Sequence, residues 1–102
     1  MNNNIYDIES IKSILVPKFQ KYGVVKCGLI GSYARGEATP VSDIDLLFKI
    51  NKSMSLMEWE TFEKDIRDSL DKDVDFIEFG AFSPRVEKEI QKELIIIYEQ
   101  TR

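Results

Sequence analysis

Two aspartates stand two residues apart in the segment Ser42-Asp43-Ile44-Asp45-Leu46-Leu47, shortly after the turn sequence Gly31-Ser32-Tyr33-Ala34-Arg35-Gly36. On a strand, residues at that spacing project to the same face roughly 7 Å apart, so the carboxylates of Asp43 and Asp45 can converge on shared cations. Hard divalent ions take carboxylate and phosphate oxygens, and Mg²⁺ is commonly held by one or two carboxylates together with the phosphates of a nucleotide. Asp43 could instead cap a turn, and Asp45 could sit on an exposed strand face. Two like charges on a strand otherwise built of Ile, Leu and Phe are nonetheless unfavourable without a cation to neutralise them.

The turn supplies the complementary half. A strand that opens directly into a helix presents unpaired N–H groups at the positive end of the helix dipole, where phosphate oxygens bind. Gly31 lets backbone approach closely, Ser32 adds a hydroxyl, and Arg35 can reach a phosphate or a departing pyrophosphate, or serve as an ordinary surface residue. Gly-Ser after a strand is weak by itself, because many strand-to-helix turns look alike. Its fixed distance from Asp43 and Asp45 makes the pair more specific, and points to an enzyme that uses a nucleoside triphosphate. Asp75, between Val74 and Phe76, is the candidate third carboxylate of a two-metal site, since an unpaired charge in mid-strand is expensive. Asp73 shares its parity and competes for the role, or belongs to the exposed Asp71-Lys72-Asp73 turn.

The rest of the composition narrows the chemistry. There is no histidine among the 102 residues, which removes Ser-His-Asp and Cys-His nucleophiles and histidine metal ligands from this chain, so chemistry must run on carboxylates. The net charge of −4 argues against nucleic acid as the main partner, because such binding depends on clustered Lys and Arg. A single cysteine, Cys27, lies in an apolar run and reads as a buried, inert thiol. No stretch is long and apolar enough for a bilayer, and the N-terminal residues lack a basic segment followed by an apolar one, so a cytoplasmic protein is expected.

These residues must be positioned by a small α/β (α+β) fold, and residues 1–102 are read as one domain. Ile8, Ile11, Leu15, Phe19 and Tyr22 predict a helix from about Asp7 to Tyr22, with a kink or break at Pro17 and an end at Gly23. Val24 to Ile30 is a buried strand, and Ser42 to Ile50 a second one with Ile44, Leu46 and Phe48 alternating against Asp43, Asp45, Leu47 and Lys49. Ser55-Leu56-Met57-Glu58 is a capping box, opening a helix whose core face is Leu56, Trp59, Phe62, Ile66 and Leu70. Val74, Phe76 and Ile77 mark a third strand. Ser83-Pro84 starts a last helix carrying Val86, Ile90 and Leu94, and Leu94 to Tyr98 forms a short final strand in preference to prolonging that helix.

The pattern Gly31-Ser32-x-x-Arg35-Gly36, five residues, then Ser42-Asp43-x-Asp45 resembles the signature of the nucleotidyltransferase superfamily that includes DNA polymerase β, and more narrowly its minimal MNT-type branch. Val74-Asp75-Phe76 and the segment from Ile90 to Glu99 are also similar to that branch. The resemblance implies a mixed β-sheet flanked by helices on one side. It implies two Mg²⁺ ions on the catalytic residues Asp43, Asp45 and Asp75, and ATP phosphates at Gly31 and Ser32, with Arg35 nearby. It also implies a HEPN-domain toxin, an RNase, as partner, with AMP passed from ATP to a tyrosine hydroxyl of that toxin and this chain acting as antitoxin. Two alternatives stand beside it: a binding-only antitoxin that masks its partner, and a nucleotidyltransferase for a small molecule such as an aminoglycoside, against which the shortness of the chain counts.

Overall fold

The computed structural model describes residues 4–50 and 53–100. Asp7 caps the first helix, α1 (Ile8–Tyr22), by accepting the Ser10 amide at 2.7 Å, and Gly23 ends it in the left-handed conformation at φ 73°. The expected break at Pro17 does not occur: α1 runs as one 15-residue element. Pro17 lies on the exposed face, as does Ser13, whose carbonyl loses its helical partner there and can be hydrated instead.

Four strands follow, β1 (Val24–Ile30), β2 (Ile44–Ile50), β3 (Val74–Glu78) and β4 (Ile95–Glu99), in the spatial order β3-β2-β1-β4. β1 pairs antiparallel with both β2 and β4, while β2 and β3 are parallel, so the sheet is mixed as expected. The parallel pair requires a crossover, which α3 (Leu56–Leu70) provides. Its capping box is complete, Ser55 Oγ accepting the Glu58 amide and Glu58 Oε1 accepting the Ser55 amide, both at 3.1 Å. The final strand is present, one residue later than expected, after α4 (Pro84–Gln91).

Ile11, Leu15 and Phe19 of α1 and Phe62, Ile66 and Leu70 of α3 form one core with Cys27, Leu29, Ile44, Leu46, Phe48, Val74 and Ile97 of the sheet. Both helices therefore cover the same sheet face. Trp59 belongs to this core, with ring centroids 5.0 Å from Phe48, 5.3 Å from Phe62 and 5.8 Å from Phe76. Leu56 does not: at 73% exposure it departs from the expected core stripe, because as the first residue of α3 it precedes the turn that reaches the sheet. Cys27 is buried, and burial pushes its thiol pKa well above the ordinary range, as suits an inert side chain. Among the described residues no helix is long and apolar enough to cross a membrane.

Candidate active site

The second strand begins two residues later than the sequence pattern suggests. Ser42 is held in a turn, its amide donating to the Thr39 carbonyl at 3.0 Å and its hydroxyl accepting the Thr39 amide at 2.8 Å. Regular pairing starts only at Ile44, so Asp43 stands just before β2 and is exposed, while Asp45 is half-buried within the strand. The simple picture of both carboxylates on one strand face is corrected accordingly. Leu47 shares the parity of Asp45 and is nonetheless buried, so the face away from α1 and α3 is also partly covered.

Asp45 is the centre of the site. In the sheet register Ile30 of β1 lies opposite Asp45 on one side, and Asp75 of β3 lies opposite it on the other. Asp75 is exposed, since β3 is an edge strand, so the burial argument that singled it out does not apply; adjacency to Asp45 is what the fold provides. Beside Asp75, the Asp45 pKa is pushed up to about 6. Burial is the main cause, followed by Asp75 and then by the charge of Asp43, with Arg35 pulling the other way.

The Gly31-Ser32 turn closes over this pair. Ile30 is extended at φ −129° and leads straight into the five-residue helix α2 (Gly31–Arg35), which ends at Gly36 with φ 72°. Gly31 adopts φ +75°, and a Cβ placed on it would strike Oδ2 of Asp45. The glycine thus has two physical reasons: a left-handed backbone, and a carboxylate against its Cα.

The Gly31 amide has a partner that sequence reasoning missed. It donates to Oε2 of Glu93 at 2.5 Å, and the two Glu93 oxygens lie 3.3 and 3.4 Å from Nη1 of Arg35. Arg35 also donates through Nε to Glu37 at 2.8 Å. The guanidinium expected at a phosphate is therefore engaged by two carboxylates. No local pattern marks Glu93, whose contact with Gly31 spans 62 residues of sequence.

The donor set suits a hard divalent ion: oxygen ligands only, with the carboxyls of Asp45 and Asp75 side by side in the sheet register. Asp43 stands a step away, and among the described residues no three acidic side chains are gathered into a ready-made cage. Asp73, the competitor of Asp75, precedes β3; its carbonyl accepts the Ile44 amide at 3.1 Å, which ties the two strand entries together. With Asp43 and Asp75 both exposed, the site is an open shelf.

Known proteins resemble this chain in sequence and in fold. Residues 9–102 match the family model described as "Polymerase beta, Nucleotidyltransferase". A Methanocaldococcus jannaschii protein with the name "Putative protein adenylyltransferase MJ0435" is 30% identical over 89 residues, covering 87% of this chain and 96% of the relative. The "Protein adenylyltransferase MntA" of Thermococcus cleftensis is 29% identical over 94 residues, covering 88% and 95%. Among solved structures, one described as a tri-AMPylated Shewanella oneidensis HEPN toxin in complex with MNT antitoxin shares the fold at a TM-score of 0.65, with 14% identity over 91% of this chain and 73% of that one. The chain belongs to the polymerase β-type nucleotidyltransferase family.

Proposed function

We propose that this nucleotidyltransferase passes AMP from ATP to a hydroxyl, that of a tyrosine, on a partner HEPN-domain toxin, and that it acts as the antitoxin of that partner. The observation that carries the reading is the juxtaposition of the Asp45–Asp75 pair with the Gly31-Ser32 turn. The names of the relatives, protein adenylyltransferases, and the AMPylated toxin bound to a structural neighbour support the choice of AMP and of a protein acceptor.

Asp45 and Asp75, with Asp43 at the strand entry, are the residues that would hold Mg²⁺. Two such ions would neutralise triphosphate charge and favour the ionised form of an attacking hydroxyl. The chain itself contributes the rest. Ser32 and the turn backbone orient the phosphates, and the half-buried setting of Asp45 strengthens its interactions relative to open water. The acceptor oxygen bonds to the α-phosphorus, the bond from that phosphorus to the oxygen bridging it to the β-phosphate breaks, and pyrophosphate leaves. The hydroxyl proton passes to the exposed carboxylate of Asp75. An open shelf suits an acceptor carried by another protein, which can bring a side chain down onto it.

Incubation with the partner toxin, ATP and Mg²⁺ should add AMP masses to the toxin, read by intact-protein mass spectrometry. Asp43→Asn and Asp45→Asn should each slow the addition at least about a hundredfold, the scale on which a positioned catalytic group acts. Undiminished AMP addition by the Asp45→Asn protein would overturn the reading. Neutralisation of the toxin in cells by the double variant would favour masking by complex formation, and label on a small molecule without a protein partner would favour the third alternative.

A further inference from the structure

Glu93 lies between α4 and β4, on the opposite side of β1 from the aspartates. We propose that it is a positioning residue for the nucleotide: its carboxylate clasps the Gly31–Arg35 turn from behind and holds it where Gly31 fits against Asp45 and Ser32 faces the phosphates. The inference deepens the nucleotidyltransferase reading and rests on it.

Several contacts fix the clasp. Oε2 takes the Gly31 amide, so this N–H points towards the β4 side of the sheet, while the position of a Cβ on the same residue points at Asp45. One glycine is therefore gripped on one side and fitted to the catalytic pair on the other. A carboxylate accepting a backbone N–H and a guanidinium forms charge-assisted bonds, about twice as strong as neutral ones. Glu93 is itself held firmly. Its amide and that of Leu94 both donate to the Ile90 carbonyl at 3.0 Å, Leu94 lies over Gly28, and Ile95 pairs with Leu29. The side chain is 28% exposed, against 66% for Glu37, the other partner of Arg35.

A second role for a carboxylate on this turn would be an internal plug that competes with the triphosphate. The two roles predict opposite effects on nucleotide affinity. The turn amide is taken by Glu93 from the β4 side, whereas Asp45 meets the Cβ position of Gly31, so a nucleotide over the aspartates has no need to displace Glu93, and the positioning role follows.

Binding of the Mg²⁺ complex of AMP-PNP, measured by calorimetry at low temperature, tests this without a partner protein. Glu93→Ala should weaken binding on the order of tenfold, whereas Glu93→Gln, which keeps an acceptor for the Gly31 amide, should stay within about threefold of wild type. Glu37→Ala, which removes the other partner of Arg35 and leaves the Gly31 amide bonded to Glu93, should also stay within about threefold. Wild-type affinity in Glu93→Ala would overturn the inference, as would tighter binding in either Glu93 variant, the mark of a plug. The wild-type protein gives a check that survives misfolding of any variant. Its Gly31 amide proton should resonate far downfield and remain so at saturation with the nucleotide; an upfield collapse on binding would overturn the proposal. Failure of the wild-type protein to bind the Mg²⁺–AMP-PNP complex at all would instead remove the nucleotide-site reading itself.

Discussion

Asp45 and Asp75 lie opposite each other across the parallel β2–β3 ladder, which sets their carboxyl groups side by side. Like charges side by side on a sheet are destabilising. Burial and the neighbouring Asp75 and Asp43 favour the neutral form of Asp45, and a divalent cation would relieve the same repulsion.

Stability should therefore depend on pH in a specific direction. Asp45 is raised from 3.8 to about 6, so the folded chain binds this proton more readily than the unfolded one. The resulting stabilisation is complete below the lower value and is lost as pH rises through about 6. Solvent screening of a half-exposed carboxyl reduces the contribution to on the order of 1 kcal/mol. In a chelator, Asp45→Asn should melt several degrees above wild type at pH 8, with the gap closing towards pH 4.5. Parallel melting curves across that range would show that the pair is not under the strain described, and Mg²⁺ should raise the wild-type melting point at pH 8 but not that of the variant.

Two glycines separate backbone strain from site geometry. Gly31 and Gly36 have nearly the same φ, +75° and +72°, but a Cβ on Gly36 would meet nothing within 4 Å whereas one on Gly31 would strike Asp45. Gly36→Ala should cost about 1 kcal/mol and leave nucleotide binding near wild type. Gly31→Ala should cost roughly twice that or more and displace the Asp45 carboxylate, with nucleotide affinity falling on the order of tenfold or more. Thermal melts and AMP-PNP titrations of the two variants check this; equal losses of affinity would remove the special role of the Gly31–Asp45 contact.

The elements that position the site were largely readable because their signals are local: the capping box at Ser55, the apolar stripe of Phe62, Ile66 and Leu70, and the alternation around Ile44, Leu46 and Phe48. The departures came where tertiary contacts outweigh local pattern. Asp43 falls outside the strand because Ser42 is caught in a turn with Thr39. Leu47 is buried although its parity places it with the charged residues, and Pro17 passes through α1 because its outer face is solvated. Glu93 had no periodicity or motif to reveal it, since its meaning lies in a contact with Gly31 made only after β4 docks on β1.

Asp65 joins the two helices behind the sheet. It accepts the Tyr22 hydroxyl at 2.8 Å and pairs with Lys18 at 3.0 Å, linking α3 to α1. Burial alone would raise its pKa, but Lys18, Tyr22 and Lys21 together hold it below the ordinary value. Its stabilising contribution is thus present above the ordinary carboxylate pKa and lost as pH falls through the lowered one. Asp65→Asn should cost about 1 kcal/mol at pH 7, with the difference from wild type vanishing in strong acid. Denaturant unfolding at pH 7 and pH 2.5 measures this, and a constant difference at both would assign the loss to packing rather than charge.

The contact of Gly28 with Leu94 offers a test of how the site is braced from the far side of the sheet. A Cβ on Gly28 would overlap Cδ1 of Leu94 and stand 3.3 Å from its Cγ, at the place where β1 and β4 shift register. Gly28→Ala should therefore overpack this point, costing about 1–3 kcal/mol. Leu94→Ala opens the same space and costs a similar amount through lost burial. Because the two changes compensate in volume, the double variant should be more stable than the sum of the single effects predicts, by about 1 kcal/mol in a double-mutant cycle. Leu94 adjoins Glu93, so Gly28→Ala should also weaken binding of the Mg²⁺–AMP-PNP complex, and the double variant should recover part of that loss. Additive stabilities together with unchanged nucleotide affinity would show that β4 is not the brace through which Glu93 reaches the Gly31 turn.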